Sequence, residues 1–186
     1  MEYPNWFDGQ RYNFEANLLH LQGKPNLAFL QVGAYTGDAS VWLLENVLTD
    51  ETSYLLDVDT WAGSNESEHS RIDFEKVYEH YKERMKPYPN VRSVRNSSDN
   101  FFQNNKNDWD FIYIDGDHVA EQVTRDADSA WLLLKPQGII AFDDYGWGKD
   151  VTEHLTPKPA IDDFLDKHNG EYELLTKEYQ IWIRKL

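Results

Sequence analysis

Asp110–Tyr145, DFIYIDGDHVAEQVTRDADSAWLLLKPQGIIAFDDY, is the stretch from which the fold can be read. It opens on Phe111-Ile112-Tyr113-Ile114, a β-branched and aromatic run of the kind that forms a buried strand. That run stops at the charged cluster Asp115-Gly116-Asp117-His118, with Asp117 placed to cap a helix beginning near Val119. Val123, Ala127, Ala130 and Leu134 then recur at spacings of three and four, which predicts a helix with one buried face. Lys135-Pro136-Gln137-Gly138 should end it. Ile139-Ile140-Ala141-Phe142 reads as a second buried strand running into Asp143-Asp144. Strand, helix and strand make a βαβ unit, so the strands are parallel and their carboxyl ends share one edge of a sheet. Asp115, Asp143 and Asp144 are therefore expected side by side.

The flanking sequence repeats the same alternation. Residues 1–26 predict an N-terminal helical extension, with Phe14, Leu18 and Leu21 on one face and Gly23-Lys24-Pro25 as its stop. Tyr3, Trp6, Phe7 and Tyr12 crowd its start, either packed over the sheet edge or forming an aromatic flap. Leu27–Val32 is a strand ending in Gly33-Ala34-Tyr35-Thr36-Gly37-Asp38, followed by a helix with Val41, Leu44, Val47 and Leu48 inward. Ser53–Asp59 is the next strand, and a loop of small and acidic residues runs from Thr60 to about Ser70. Phe74, Val77, Tyr81 and Met85 mark a helix, Val91–Val94 a short strand, and Ser97-Ser98-Asp99 a helix cap. Beyond the central unit lie an irregular segment from Tyr145 to Pro159 and a helix over 160–167. A hairpin of Tyr172–Leu175 and Gln180–Ile183 closes the chain. The pattern predicts one domain over 1–186, a doubly wound α/β sheet ending in an antiparallel hairpin.

Composition narrows the function. The 186 residues carry a formal charge of −15, are 40% hydrophobic and 15% aromatic, and include no cysteine. That excess of acid argues against nucleic-acid or membrane-surface partners, which need clustered Lys and Arg. Without cysteine there is no disulfide, thiolate or zinc–thiolate chemistry. The N-terminus lacks the basic-then-apolar layout of a signal peptide, and no apolar run is long enough to span a bilayer. A cytoplasmic protein is expected.

In open α/β sheets ligands bind beyond the strand carboxyl ends where the strand order reverses. Gly33 and Gly37 allow a sharp turn and close backbone approach there, and the helix behind them offers free N–H groups. A bare strand-to-helix turn would carry the same glycines. An acid ending the second strand, Asp59 or Asp57 two residues back, suits vicinal ribose hydroxyls and favours a nucleoside-containing ligand. Tyr35 occupies a position where a pyrophosphate would need glycine, so S-adenosylmethionine fits better than a dinucleotide. Asp115, Asp143 and Asp144 are hard oxygen ligands suited to a divalent cation, and without one their mutual repulsion should raise at least one pKa. His118 beside them is a candidate general base. Trp61, Tyr145 and Trp147 lie on loops over the same edge, as pocket walls or as core.

With those residues in view, the chain resembles class I S-adenosylmethionine-dependent methyltransferases, in particular the small sugar and macrolide O-methyltransferases with a D-G-x-H motif. FLQVGAYTGDASVWLLENVLT, DVDTWAGS and the central βαβ stretch carry the resemblance, from about Phe29 to Trp147. It implies a seven-stranded sheet of order 3-2-1-4-5-7-6. It also implies a cofactor site of Gln31, Gly33, Ala34, Tyr35, Gly37, Asp59, Ser98 and Asp115, with Asp59 matching the ribose-binding acid better than Asp57. Asp115, Asp143 and Asp144 match the ligands of Mg²⁺ or Mn²⁺ in metal-dependent members, and His118 and Asp115 the catalytic pair. Gln31 stands where the family usually has Glu. The expectation is methyl transfer to a hydroxyl of a small, sugar- or polyol-like acceptor. The alternatives are a nucleotide-dependent oxidoreductase on a similar sheet and a cofactor-binding protein without catalysis.

Overall fold

The computed structural model describes residues 3–63, 72–148 and 150–186. The greater part of the expected Thr60–Ser70 loop falls outside them. Seven strands form a single sheet: β1 (Ala28–Val32), β2 (Tyr54–Asp59), β3 (Val91–Arg95), β4 (Trp109–Ile114), β5 (Leu134–Phe142), β6 (Tyr172–Lys177) and β7 (Ile181–Lys185). Their order is β3-β2-β1-β4-β5-β7-β6. The pairs along β3-β2-β1-β4-β5 are parallel, whereas β7 is antiparallel to both β5 and β6. This is the Rossmann-like arrangement that the resemblance implied.

Side-chain alternation on buried strands fills two separate layers. Leu30, Val32, Ile112, Ile114, Ile140 and Phe142 pack with α4 (Ser98–Asn104), α5 (Ala120–Leu133) and α6 (Lys158–Lys167). Phe29, Leu55, Phe111, Tyr113 and Ala141 face the other way, toward α1 (Arg11–Leu18), α2 (Asp38–Asn46) and α3 (Phe74–Met85). Phe14 of α1 is the hub of that second layer. Its ring makes edge-on contacts with Trp182, Tyr113 and Trp42, at centroid distances of 4.8, 5.0 and 5.8 Å.

Three boundaries differ from the sequence expectation. The N-terminal helix is short, Arg11–Leu18, flanked by 3₁₀ turns at Phe7–Gly9 and Leu19–Leu21. α5 begins at Ala120, and Asp117 binds the Val119 N–H at 2.9 Å, one residue ahead of the helix. Lys135–Gly138 is not a loop. Helix gives way to strand at Leu134, which pairs with Trp109, and a bulge then carries the chain to Ile139 opposite Phe111. Gln137 takes a left-handed φ of 65° inside that bulge. The turn residues that predicted a stop thus serve a kink within a strand.

Candidate functional site

β1 and β4 are neighbours whose following helices lie on opposite faces, so the backbone parts at their carboxyl ends and opens a cleft of about 520 Å³. That volume lies within the range of small-molecule sites. Gly33 turns the chain there with φ 87°. A Cβ at this position would sit 1.8 Å from the Asp115 carbonyl oxygen. The glycine is therefore demanded by the neighbouring strand end rather than by a ligand, which revises the sequence argument. Gly37, with φ 81°, caps α2, and a Cβ there would meet Met85 Cε at 2.7 Å. It contributes to helix packing and is not part of the cleft wall, whereas Gly33, Ala34 and Tyr35 are.

The two candidate ribose acids separate cleanly. Asp59 lines the cleft and Asp57 is buried beneath it. Asp59 Oδ2 accepts the N–H groups of Ala34 and Tyr35 at 2.8 and 2.9 Å, and Oδ1 accepts that of Trp61 at 2.6 Å. A carboxylate has about four acceptor sites, so roughly one is left for a ligand. Its first task is to hold the glycine loop against β2. Asp57 Oδ2 instead accepts from Ser40 and from Tyr81, each at 2.7 Å. Burial pushes its pKa up to about 7, against the lowering effect of those two hydrogen bonds.

Gln31 pairs with Asp57 across β1 and β2. Its amide donates to the Gly33 carbonyl at 2.7 Å, and its oxygen accepts from Ser40 at 3.2 Å. A glutamate could not make the first of these bonds and would place a second buried carboxyl next to Asp57. Gln31 therefore braces the loop while leaving Asp57 as the single buried carboxyl of this network.

At the other half of the edge, ligand atoms of Asp115, His118 and Asp144 lie within 4.8 Å of one another. Two carboxylate oxygens and an imidazole nitrogen form a donor set suited to a divalent first-row ion or Mg²⁺. His118 Nε2 is 2.8 Å from Asp144 Oδ2. Asp143, the third acid expected as a ligand, lines the same cleft but is not in this group, its oxygens being engaged by other partners. Its Oδ2 accepts from Tyr113 at 2.5 Å, and its Oδ1 from Gln180 at 3.0 Å and the Asp144 N–H at 2.8 Å. Burial, and then the Asp143 and Asp144 charges, hold Asp115 well above the usual carboxylate range. Burial and the Asp144 charge also push Asp143 up to about 6. Unbalanced negative charge of this kind suits a cation.

Other walls of the cleft were legible only in part. Ser98 accepts from Gln122 at 3.1 Å, and Gln122 also donates to the buried Asp126 at 3.0 Å. Gln122 and Asp126 look in sequence like ordinary helix residues. Gln180 opens the second strand of the expected hairpin and Tyr179 lies in its turn, yet they bond to Asp143 and Asp144. The antiparallel register explains this: Ile181 pairs with Phe142, so the residues before one meet those after the other. Trp147 lies over His118 with centroids 4.6 Å apart. Trp61 is 1% exposed, with its indole N–H on the Tyr35 carbonyl at 2.9 Å, so it serves as both wall and core. Tyr145 does not reach the cleft and bonds to Asp162 at 2.9 Å.

Residues 30–145 match a family model described as a methyltransferase domain. The chain belongs to that family. This methyltransferase assignment covers the glycine loop, Asp59, the acidic cluster and both central strands, and it tells against the oxidoreductase alternative. No curated protein matches the chain. Among solved structures, a protein described as an rRNA methylase from Clostridium thermocellum superposes with a TM-score of 0.71 at 14% identity, covering 100% of this chain and 98% of its own. A Podospora anserina methyltransferase bound to S-adenosylhomocysteine gives 0.66 at 18%, covering 99% and 80%. A Bacillus cereus O-methyltransferase in complex with the same compound gives 0.64 at 14%, covering 99% and 83%. At these identities the methyltransferase domain shares their fold. Among the described residues no helix is long and apolar enough to cross a membrane.

Proposed function

We propose that the chain transfers a methyl group from S-adenosylmethionine to a hydroxyl of a small sugar- or polyol-like acceptor, assisted by Mg²⁺ or Mn²⁺. The observation that carries this reading is the convergence of Asp115, His118 and Asp144 in the wall of the same cleft that the Gly33 loop and Asp59 border. The S-adenosylhomocysteine complexes of the two similarly folded methyltransferases support the choice of donor.

The donor supplies an electrophilic methyl on sulfur, and a divalent cation, when held by the cluster, supplies Lewis acidity beside the acceptor oxygen. The chain's own contribution is placement and proton handling. Gly33, Ala34, Tyr35 and Asp59 shape the donor half of the cleft, with Gln31 bracing the loop from below. Ser98 borders that half from the β3 side. The cleft walls align acceptor and donor, and positioning is the larger part of what such a displacement needs. His118 Nε2 has one lone pair to give. With an ion in the cluster it would be a ligand; without one, a neutral His118 protonated on Nδ1 takes the acceptor's proton on Nε2, and the imidazolium then donates that N–H to Asp144. The 2.8 Å separation of Nε2 from Asp144 Oδ2 fits either a shared ion or that imidazolium hydrogen bond, which is why the metal-free course stands as the second reading.

The decisive assay is transfer of labelled methyl from S-adenosylmethionine to polyols and glycosides, with Mn²⁺ or with EDTA. Loss of transfer in EDTA supports the metal-assisted course. Equal rates remove the metal from the reaction, and no transfer in either condition defeats the proposal.

A further inference from the structure

We propose that the acceptor half of the cleft selects a hydroxylated ring bearing an ammonium group and turns away phosphate- and carboxylate-bearing compounds. This rests on the methyl-transfer reading above and names the substrate class for that same cleft. The acceptor half lies over the ends of β4, β5 and β7. The N-terminal segment is drawn across it, because Tyr12 donates to Glu178 at 2.7 Å and Asn13 to Gln180 at 3.1 Å. Trp6 and Gln10 thereby join Trp147, Tyr179 and the Asp143–Asp144 pair in one wall.

The polarity of this wall is one-sided. Among the described residues no Lys or Arg side chain borders the cleft. Arg71 and Lys149 lie outside the described residues. The neighbouring Arg84 is committed to Asp38 at 2.6 Å and to the Thr36 carbonyl at 3.0 Å. Two hydroxyl donors on the acidic side are used as well: Tyr113 donates to Asp143 at 2.5 Å and Tyr179 to Asp144 at 2.6 Å, whereas the Tyr35 hydroxyl on the donor side is buried without a partner among the described residues. What remains is acceptor-rich. The Gln10 side-chain oxygen is buried and has no donor among the described residues. A ligand that donates hydrogen bonds and carries positive charge completes this wall, whereas an anion meets carboxylates with no Lys or Arg among the described residues to balance it. Trp6, which is 52% exposed, and Trp147 add aromatic faces that suit the apolar side of a sugar ring and attract an ammonium.

The test is titration calorimetry on the full chain saturated with S-adenosylhomocysteine, with and without Mn²⁺, using glucosamine, glucose and glucose 6-phosphate as probes. Glucosamine should bind most tightly, glucose less so, and glucose 6-phosphate at least about tenfold more weakly than glucosamine. Gln10→Leu should weaken glucosamine severalfold and leave the response to S-adenosylhomocysteine unchanged. Glucose 6-phosphate binding as tightly as glucosamine, with or without Mn²⁺, overturns the proposal, as does glucosamine binding no better than glucose. Failure to bind S-adenosylhomocysteine brings down the methyl-transfer reading itself. Binding of that compound with no response to glucosamine overturns the acceptor class alone.

Discussion

Gly33 and Gly37 look equivalent in the sequence, but different neighbours constrain them. A side chain at 33 collides with backbone that β4 cannot move, whereas one at 37 meets side chains alone, the flexible end of Met85 and the ring of Tyr81 at 3.0 Å. Gly33→Ala should therefore cost at least about 3 kcal/mol, and Gly37→Ala less than that, the ~1–2 kcal/mol of a left-handed alanine together with the small shift asked of Met85 and Tyr81. Urea denaturation of both variants checks this, and equal losses would refute it. Asp57 yields a pH prediction. Its pKa rises from 3.8 to about 7 on folding, chiefly through burial. Between those values the folded chain keeps a proton that the unfolded chain has released. This contribution to stability is thus complete in acid and is lost as pH climbs through the folded value, by no more than roughly 4 kcal/mol. Asn can still accept from Ser40 and Tyr81, so Asp57→Asn should shrink the stability difference between pH 5 and pH 8. An unchanged difference would show that Asp57 is ionised throughout. The sequence announced both glycines and Asp59, because turn chemistry is local. It could not assign Asp57 and Gln31 to one buried network, since their shared contact depends on strand pairing and on Ser40 and Tyr81 arriving from two helices.

The βαβ core was readable at the level of elements because its strands are buried on both faces and its helix carries a clear apolar stripe. The seam between α5 and β5 was not. Leu134 satisfies a helical spacing and also pairs with Trp109, and only the partner strand decides between them. The terminal hairpin was recognised as a hairpin, but its turn was not recognised as part of the site. Gln180 is 0% exposed. Its side chain accepts from Asn13 at 3.1 Å and from Trp182 at 2.9 Å, and donates to Asp143 at 3.0 Å. One amide thereby joins the N-terminal helix, the last strand and the acidic edge. Gln180→Leu would leave three polar partners unsatisfied and should cost on the order of 3 kcal/mol. A loss below about 1 kcal/mol in chemical denaturation would mean that water replaces these contacts.

At the scale of the whole molecule, the sheet gathers acids from remote parts of a chain whose formal charge is −15. If the cluster of Asp115, His118 and Asp144 holds Mn²⁺, saturating ion should raise stability, by about 2.7 kcal/mol at a hundredfold excess over the dissociation constant. Asp144→Asn should abolish that gain. Asp143→Asn should retain most of it, because Asp143 is engaged with Tyr113 and Gln180. Melting curves with and without Mn²⁺ distinguish the two variants, and the reverse ranking would restore Asp143 as the ligand. The antiparallel course of β7 has one practical result for such work. That strand starts beside the cleft and runs away from it, so Leu186, 61% exposed, emerges at the opposite rim of the sheet. An affinity handle or surface-immobilisation anchor fused behind Leu186 would leave the entrance unobstructed. The same handle placed ahead of Tyr3 would crowd the Trp6–Tyr35 contact at the doorway itself.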